Sequence, residues 1–188
     1  MARWHPNARG RLEQAALELY SERGFEQTTV EQIAARAGLT ERTFFRHFAD
    51  KREVLFGGAS ALQESLAKRV AEAPAALAPL DVVATALGAV EFFSPERREY
   101  AKQRQNIIAA NAELRERELT KLASLSAALA EALRGRGVED PAAGLTADAG
   151  MAVFKVAFEL WIDETNQRDF QGLVQTVLDE WRAVTAGR

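Results

Sequence analysis

The sequence predicts an all-α protein of about nine helices. Three observations carry this expectation. Alanine, leucine, glutamate and arginine dominate the 188 residues, and these favour helix. Apolar residues recur at i, i+3 and i+4 along almost the whole chain, while period-two alternation is nearly absent. Glycine and proline stand between those stripes, at Gly24, Gly38, Pro74, Pro79, Pro95, Gly135, Gly137 and Pro141, where helices would end or begin.

The first helix is expected from about Ala8 to Arg23, with Leu12, Ala15, Ala16, Leu19 and Tyr20 on one stripe and Gly24 as its stop. Thr28 or Thr29 then caps a short second helix ending near Arg36, with Ile33, Ala34 and Ala37 facing inward. Gly38 makes a tight turn, and Thr40 caps a third helix to about Phe48 whose inner face is Phe44 and Phe48. Asp50 opens a long fourth helix to about Glu72, with Glu53 near the capping-box position. Pro74 and Pro79 mark a linker. Five helices follow at about 80–93, 95–110, 112–134, 142–166 and 169–185, with Asn111 as a cap for the one starting near Ala112.

Composition narrows the function. Apolar residues make up 47% and charged residues 27%, the balance of a soluble globular protein. With no cysteine there is no disulfide framework, thiolate nucleophile or thiolate metal site. The two histidines, His5 and His47, are far apart, so no metal site and no cofactor are expected. No HExxH, Walker loop or GxSxG occurs, and an enzyme is not expected. The N-terminus lacks an apolar leader core, and Ala73–Val90 is interrupted by Asp81 and two prolines. A cytoplasmic protein without a membrane partner is the expectation.

Two short helices joined by a tight glycine turn form a helix-turn-helix, here Thr29 to Phe48. At 100° per residue, with Phe44 and Phe48 inward, Arg42 and Arg46 point away from the core, flanked by Thr43 and Phe45. Arginine suits guanine O6 and N7, and threonine or phenylalanine can touch a thymine methyl. Thr40, His47 and Lys51 lie at the helix ends, where phosphate contact is natural. The alternative is an ordinary solvated face. The formal net charge is −3, yet residues 1–56 hold nine basic and eight acidic groups, a modest bias of the right sign. An N-terminal arm with Arg3, Arg9 and Arg11 reads equally as a minor-groove arm or as a solubilising tail.

Three runs of residues carry a family resemblance: Ala15–Phe25 (AALELYSERGF), Thr28–Gly38 (TTVEQIAARAG) and Thr43–Lys51 (TFFRHFADK). They resemble the N-terminal domain of the TetR family of transcriptional regulators. That resemblance implies a DNA-binding domain over 1–50 and a ligand-binding and dimerisation body over 51–188. It implies a homodimer on a pseudo-palindromic double-stranded DNA operator, most often a repressor released by a small-molecule effector. By position, Thr29, Thr43, His47 and Lys51 match phosphate contacts, and Thr40, Glu41, Arg42 and Phe45 match the base-reading stretch. The family often carries tyrosine where this chain has Phe45, so a phenolic phosphate contact is replaced by ring packing alone.

Met151–Ile162 is apolar on nearly all sides, and the next helix has one clear stripe. Val153, Leu160, Phe170, Val174, Val177 and Trp181 are the expected dimer contacts. Lys155 and Glu159 interrupt the apolar run at i, i+4, as a pocket head group site or a salt-bridged exposed strip. Phe92, Phe93, Ile107, Phe154, Phe158 and Trp161 would wall an effector cavity, with Arg104 and Asn106 as polar anchors, or would form an ordinary core. Such a cavity favours a hydrophobic effector. The charged run Arg97–Arg117 reads as an anionic entrance for an acyl-coenzyme A, or as an exposed face laced with Glu–Arg pairs. A helical interaction module without specific DNA binding is the remaining alternative.

Overall fold

The computed structural model describes residues 8–187, and among them all regular structure is helical, with nine α-helices, three 3-10 turns and no strand. The chain forms two compact units. One runs through Gly58 and also takes in Gln103–Glu118; the other holds Ala59–Lys102 and the residues from Leu119 on.

The first unit contains α1 (Ala8–Arg23), α2 (Val30–Arg36), α3 (Glu41–His47) and a 3-10 turn at Glu53–Phe56. It adds the C-terminal part of α6 (Arg98–Ala110) and the first residues of α7 (Ala112–Gly135). Gly24 ends α1 in the left-handed region at φ +85°, open to glycine without strain. Thr29 is the cap of α2: its hydroxyl accepts from the Gln32 amide at 3.2 Å and the Gln32 side chain accepts from the Thr29 amide at 3.1 Å. Gly38, at φ +65°, closes the turn into α3, and the Leu39 amide donates to the Ala34 carbonyl at 2.8 Å. Thr40 caps α3 by accepting from the Thr43 amide. Ile33, Ala34, Phe44 and Phe48 are buried, as the stripe predicts.

The helix expected from Asp50 does not form as one piece. Asp50 Oδ1 accepts from the amides of Arg52 (2.8 Å) and Glu53 (3.2 Å), yet only the 3-10 turn follows. Gly57 and Gly58 then interrupt, and α4 runs Ala59–Glu72. Each glycine costs a helix interior about 1 kcal/mol relative to alanine, which two in succession double. Gly57 also receives Arg9, which donates to its carbonyl and pairs with Glu13. Arg9 and Arg11 therefore belong to α1 rather than to an arm; Arg3 lies outside the described residues.

The second unit holds α4, α5 (Pro79–Gly88), 3-10 turns at Glu91–Phe93 and Pro95–Arg97, the start of α6, most of α7, α8 (Ala142–Ile162) and α9 (Phe170–Thr185). Expected helices over 80–93, 95–110 and 142–166 are shorter. Gly88 ends one, Pro95 delays another into a 3-10 turn, and Asp163, extended at ψ 135°, stops the third. Asn111 does not cap α7 with its side chain, which instead donates to the Ile107 carbonyl at 2.6 Å at the end of α6. Val83, Leu87, Leu129, Leu133, Trp161 and Leu178 sit in one buried cluster, and α5, α8 and α9 pack on one another. Arg136 donates to the carbonyls of Val70, Ala71, Ala73 and Pro74, taking up the orphan carbonyls where α4 ends. No helix among the described residues is long and apolar enough to cross a membrane.

Candidate nucleic-acid interface

The outer face of α3 has the composition its phasing predicts. Glu41, Arg42, Phe45 and Arg46 are exposed, while Thr43 and His47 are half-buried at its flanks. Phe45 leaves 55% of its surface in solvent, a large apolar exposure on so short a helix. Its ring meets the buried Phe44 edge-on at 5.4 Å. Neither Arg42 nor Arg46 has an ion-pair or hydrogen-bond partner among the described residues. Arg11 and Arg23 of this unit are likewise without an ion pair or hydrogen bond among the described residues, whereas several others are held. Arg36 bridges Glu18 and Glu22, Arg52 bridges Asp50 and Glu113, and Arg117 pairs with Glu53.

The cap threonines lie beside this face. Thr29 and Thr40 are exposed, and the Thr40 and Thr43 hydroxyls are 3.1 Å apart. His47 turns Nε2 inward, where it has no partner among the described residues. Lys51 departs most from its expected role. Its ammonium donates to the carbonyls of Phe25 (2.9 Å), Glu26 (3.4 Å) and Thr28 (3.0 Å) and sits 4.3 Å from the Phe25 ring centroid. Those bonds use the three donors of an ammonium, so Lys51 faces the α1–α2 turn rather than a phosphate. The sequence carries no sign of this, because every partner but the ring is backbone.

The residues expected around an effector do not all come together. Phe93, Phe154, Phe158 and Trp161 cluster in the second unit, joined by Phe170. Phe92 is half-buried under the Arg97 guanidinium. Arg104, Asn106 and Ile107 belong to the first unit instead. There Arg104 pairs with Glu118 and donates to the Leu55 carbonyl, while Asn106 and Ile107 line an open depression of about 450 Å³ with Tyr20, Phe25 and Gln103. The charged run is laced with pairs, the Lys102–Glu164 bridge of the second unit included. Lys155 and Glu159 are exposed and form no bridge with each other.

Half of the expected dimer contacts are internal. Val153, Phe170 and Val174 are buried within the chain, because the inner stripes of α8 and α9 pack on each other and on α5. Leu160 and Trp181 stay exposed, and Val177 is half-buried. They align with further residues of α8 and α9. Leu145, Ala149, Ala152, Val156 and Leu160 make one stripe on α8, and Val177, Trp181 and Val184 make one on α9. Spacing tells which residues share a face; it does not tell which face is inside.

Comparison with known proteins agrees with this arrangement. Residues 13–56 match the family model of bacterial regulatory proteins of the tetR family. Residues 77–186, more than half of the chain, match the MftR C-terminal domain. The chain is 44% identical over 82 residues to the HTH-type transcriptional regulator TcmR of Streptomyces glaucescens, covering 44% of this chain and 36% of that protein. It is 27% identical over 112 residues to MftR of Mycobacterium tuberculosis, covering 60% of this chain and 57% of that one. The chain thus matches well under two thirds of the length of either relative. The triclosan complex of SmeT, the repressor of the Stenotrophomonas maltophilia multidrug efflux pump SmeDEF, has a similar fold. Its TM-score is 0.65 at 21% identity, covering 94% of this chain and 90% of that one.

Proposed function

Because the chain belongs to the TetR family of bacterial regulatory proteins, we propose that it holds a pseudo-palindromic DNA operator as a homodimer and lets go when a small molecule binds. The observation that carries this reading is the outer face of α3. Two guanidiniums without partners flank an exposed ring, in a unit whose other arginines include several held in pairs.

In this reading α3 enters the major groove. Arg42 and Arg46 take guanine O6 and N7, and Thr43 and Phe45 lie against thymine methyls, with Glu41 beside them. Thr29, Thr40 and His47 meet phosphates and set the register. Lys51 holds the α1–α2 turn in place. Two copies joined through the exposed stripes of α8 and α9 present two such helices to half-sites about 34–36 Å apart, or a multiple of that. The effector binds the second unit among its aromatic rings and shifts the population toward a form that fits DNA less well.

Selection of genomic fragments by the purified protein at two salt concentrations tests this reading. Enrichment of a palindromic site at both concentrations is the expected result. Binding that is salt-sensitive and blind to sequence would overturn it, since phosphate contacts alone behave that way.

A further inference from the structure

The second unit carries a cluster of aromatic rings centred on Phe93. That ring lies 4.2 Å from Phe170, 5.5 Å from Trp161, 5.6 Å from Phe154 and 6.0 Å from Phe158, centroid to centroid. Three of these rings come from α8 and one opens α9, both long helices. Phe93 comes from the three-residue turn Glu91–Phe93, and its own amide makes only a long 3.4 Å bond to the Val90 carbonyl. It is half-buried, whereas Trp161 is wholly buried. The central ring is thus the one held by the weakest backbone.

Two N–H groups at this cluster have no partner among the described residues. They are Trp161 Nε1 and Arg98 Nε, both screened from solvent. The two side chains are neighbours, with the Arg98 guanidinium 5.6 Å from the Trp161 ring. The outer nitrogens of Arg98 are already committed to the carbonyls of Asn166 (2.8 Å) and Arg168 (2.9 Å), so its Nε is fixed where it stands. Folded proteins leave few buried donors unpaired, and two together beside a ring cluster call for an acceptor. One of them is cationic, so an anionic oxygen is favoured.

We propose that Phe93 is a built-in plug and that this site takes a planar aromatic carboxylate. The ligand's ring replaces the Phe93 ring against Phe154, Phe158 and Phe170, and its carboxylate accepts from Trp161 Nε1 and Arg98 Nε. The wild-type chain stands in for the ligand with its own side chain, so binding must displace Phe93, as in a site opened by its ligand. The inference rests on the reading of the second unit as the effector-binding part, and names the effector's class.

Calorimetric titration of the full chain without DNA tests it, with benzoate as the probe and toluene as the same ring lacking the acceptor. Phe93→Ala opens a gap the size of the probe's ring and is expected to bind benzoate at least about tenfold more tightly than wild type. Adding Trp161→Phe, which keeps a ring and removes the donor, is expected to weaken benzoate about tenfold and leave toluene unchanged. Equal affinity of Phe93→Ala for benzoate and toluene would leave an apolar gap only and overturn the proposal. So would benzoate binding that ignores Trp161→Phe. Phe93→Leu carries the same comparison should the alanine variant fail to fold. Operator binding is measured separately. Benzoate bound as described without loss of operator binding would refute the effector reading and leave the site standing; operator binding with no benzoate site would do the reverse.

Discussion

The phenol of Tyr20 donates a 2.6 Å hydrogen bond to the carbonyl oxygen of Lys51, 31 residues along the chain. The ammonium of the same lysine returns to the carbonyls of Phe25 and Thr28, just beyond the end of α1. The two residues thus tie the α1–α2 turn to the segment that follows α3. Burial pushes the Tyr20 phenol well above its ordinary range, and the Asp50 carboxylate adds to that, so it stays a donor throughout the useful pH range. Lys51→Met is therefore expected to lower the melting temperature and weaken DNA binding while the slope of log affinity against log salt stays as in wild type. A slope shallower by about 0.9 would show a lost phosphate contact and sink this assignment. Tyr20→Phe should destabilise by about 0.5–1.5 kcal/mol, or somewhat more because the Lys51 carbonyl is left unpaired.

Arg42 and Arg46 have no partners to lose, so replacing them reads DNA contacts with little effect on the fold. Arg42→Ala is expected to cost about 1–3 kcal/mol of discrimination between operator and random DNA, the worth of a bidentate guanine contact. Titration of both DNAs at one salt concentration measures it. Equal weakening on both would mean that Arg42 touches only phosphate.

Asp50 gives the first unit an acid limit. The Arg52 guanidinium holds its carboxyl below the usual range, helped by the amides of Glu53 and Arg52 and opposed by partial burial. A carboxyl lowered in the folded state contributes stability above its unfolded value of about 3.9, and that contribution is lost as pH falls through the folded value. Asp50→Asn should therefore reduce stability at neutral pH and flatten its decline below about pH 4. Denaturant midpoints at several pH values check this. An unchanged acid limb would assign the acid sensitivity to other carboxyls.

How much of this was legible depended on whether side chains or backbone carried the contact. With Phe44 and Phe48 taken as the inner face, helical spacing puts Phe45 and Arg46 outside, and the structure repeats it. The capping of α2 by Thr29 and of α3 by Thr40 is local chemistry and was equally readable. Lys51 was not, since its ligands are carbonyls that every sequence has. Nor was the membership of Gln103–Glu118 in the first unit, which rests on contacts about 50–60 residues apart, such as Arg104 with Leu55 and Glu113 with Arg52. Val153 and Phe170, expected on the dimer face, are buried within the chain. An apolar stripe shows that a helix is covered without naming what covers it.

Gly150 and Val83 set the approach of α8 to α5. A Cβ on Gly150 would stand 2.4 Å from Val83 Cγ1, and Val83 is fully buried with no room to retreat. Alanine in a helix gains about 1 kcal/mol over glycine, but overpacking a tight core costs about 1–3 kcal/mol. Gly150→Ala is expected to lower stability on balance, and adding Val83→Ala should recover part of the loss. A double-mutant cycle by chemical denaturation measures the coupling. Additive effects would mean that the two residues do not touch.

The exposed stripes of α8 and α9 bear on assembly. Val156 and Leu160 leave 44% and 43% of their surface in solvent and Trp181 leaves 36%, on two helices that pack side by side. Scattered apolar exposure needs no explanation, but aligned exposure along two neighbouring helices is what the proposed pairing of two copies would cover. The stripe on α8 keeps small residues, Ala149 and Ala152, between its larger ones, which allows close approach of a second helix pair. If two copies pair as proposed, Leu160→Glu is expected to convert the dimer to monomer in sedimentation velocity, because it would place a charge where they exclude water. Operator affinity should then fall steeply, since each half-site is held by one protomer alone. Leu119 supplies the control. It is 67% exposed on α7, a helix that carries neither stripe, and Leu119→Glu should leave mass and operator affinity unchanged. A wild-type chain that sediments as a monomer at every concentration, or a Leu160→Glu protein that remains dimeric, would move the interface elsewhere.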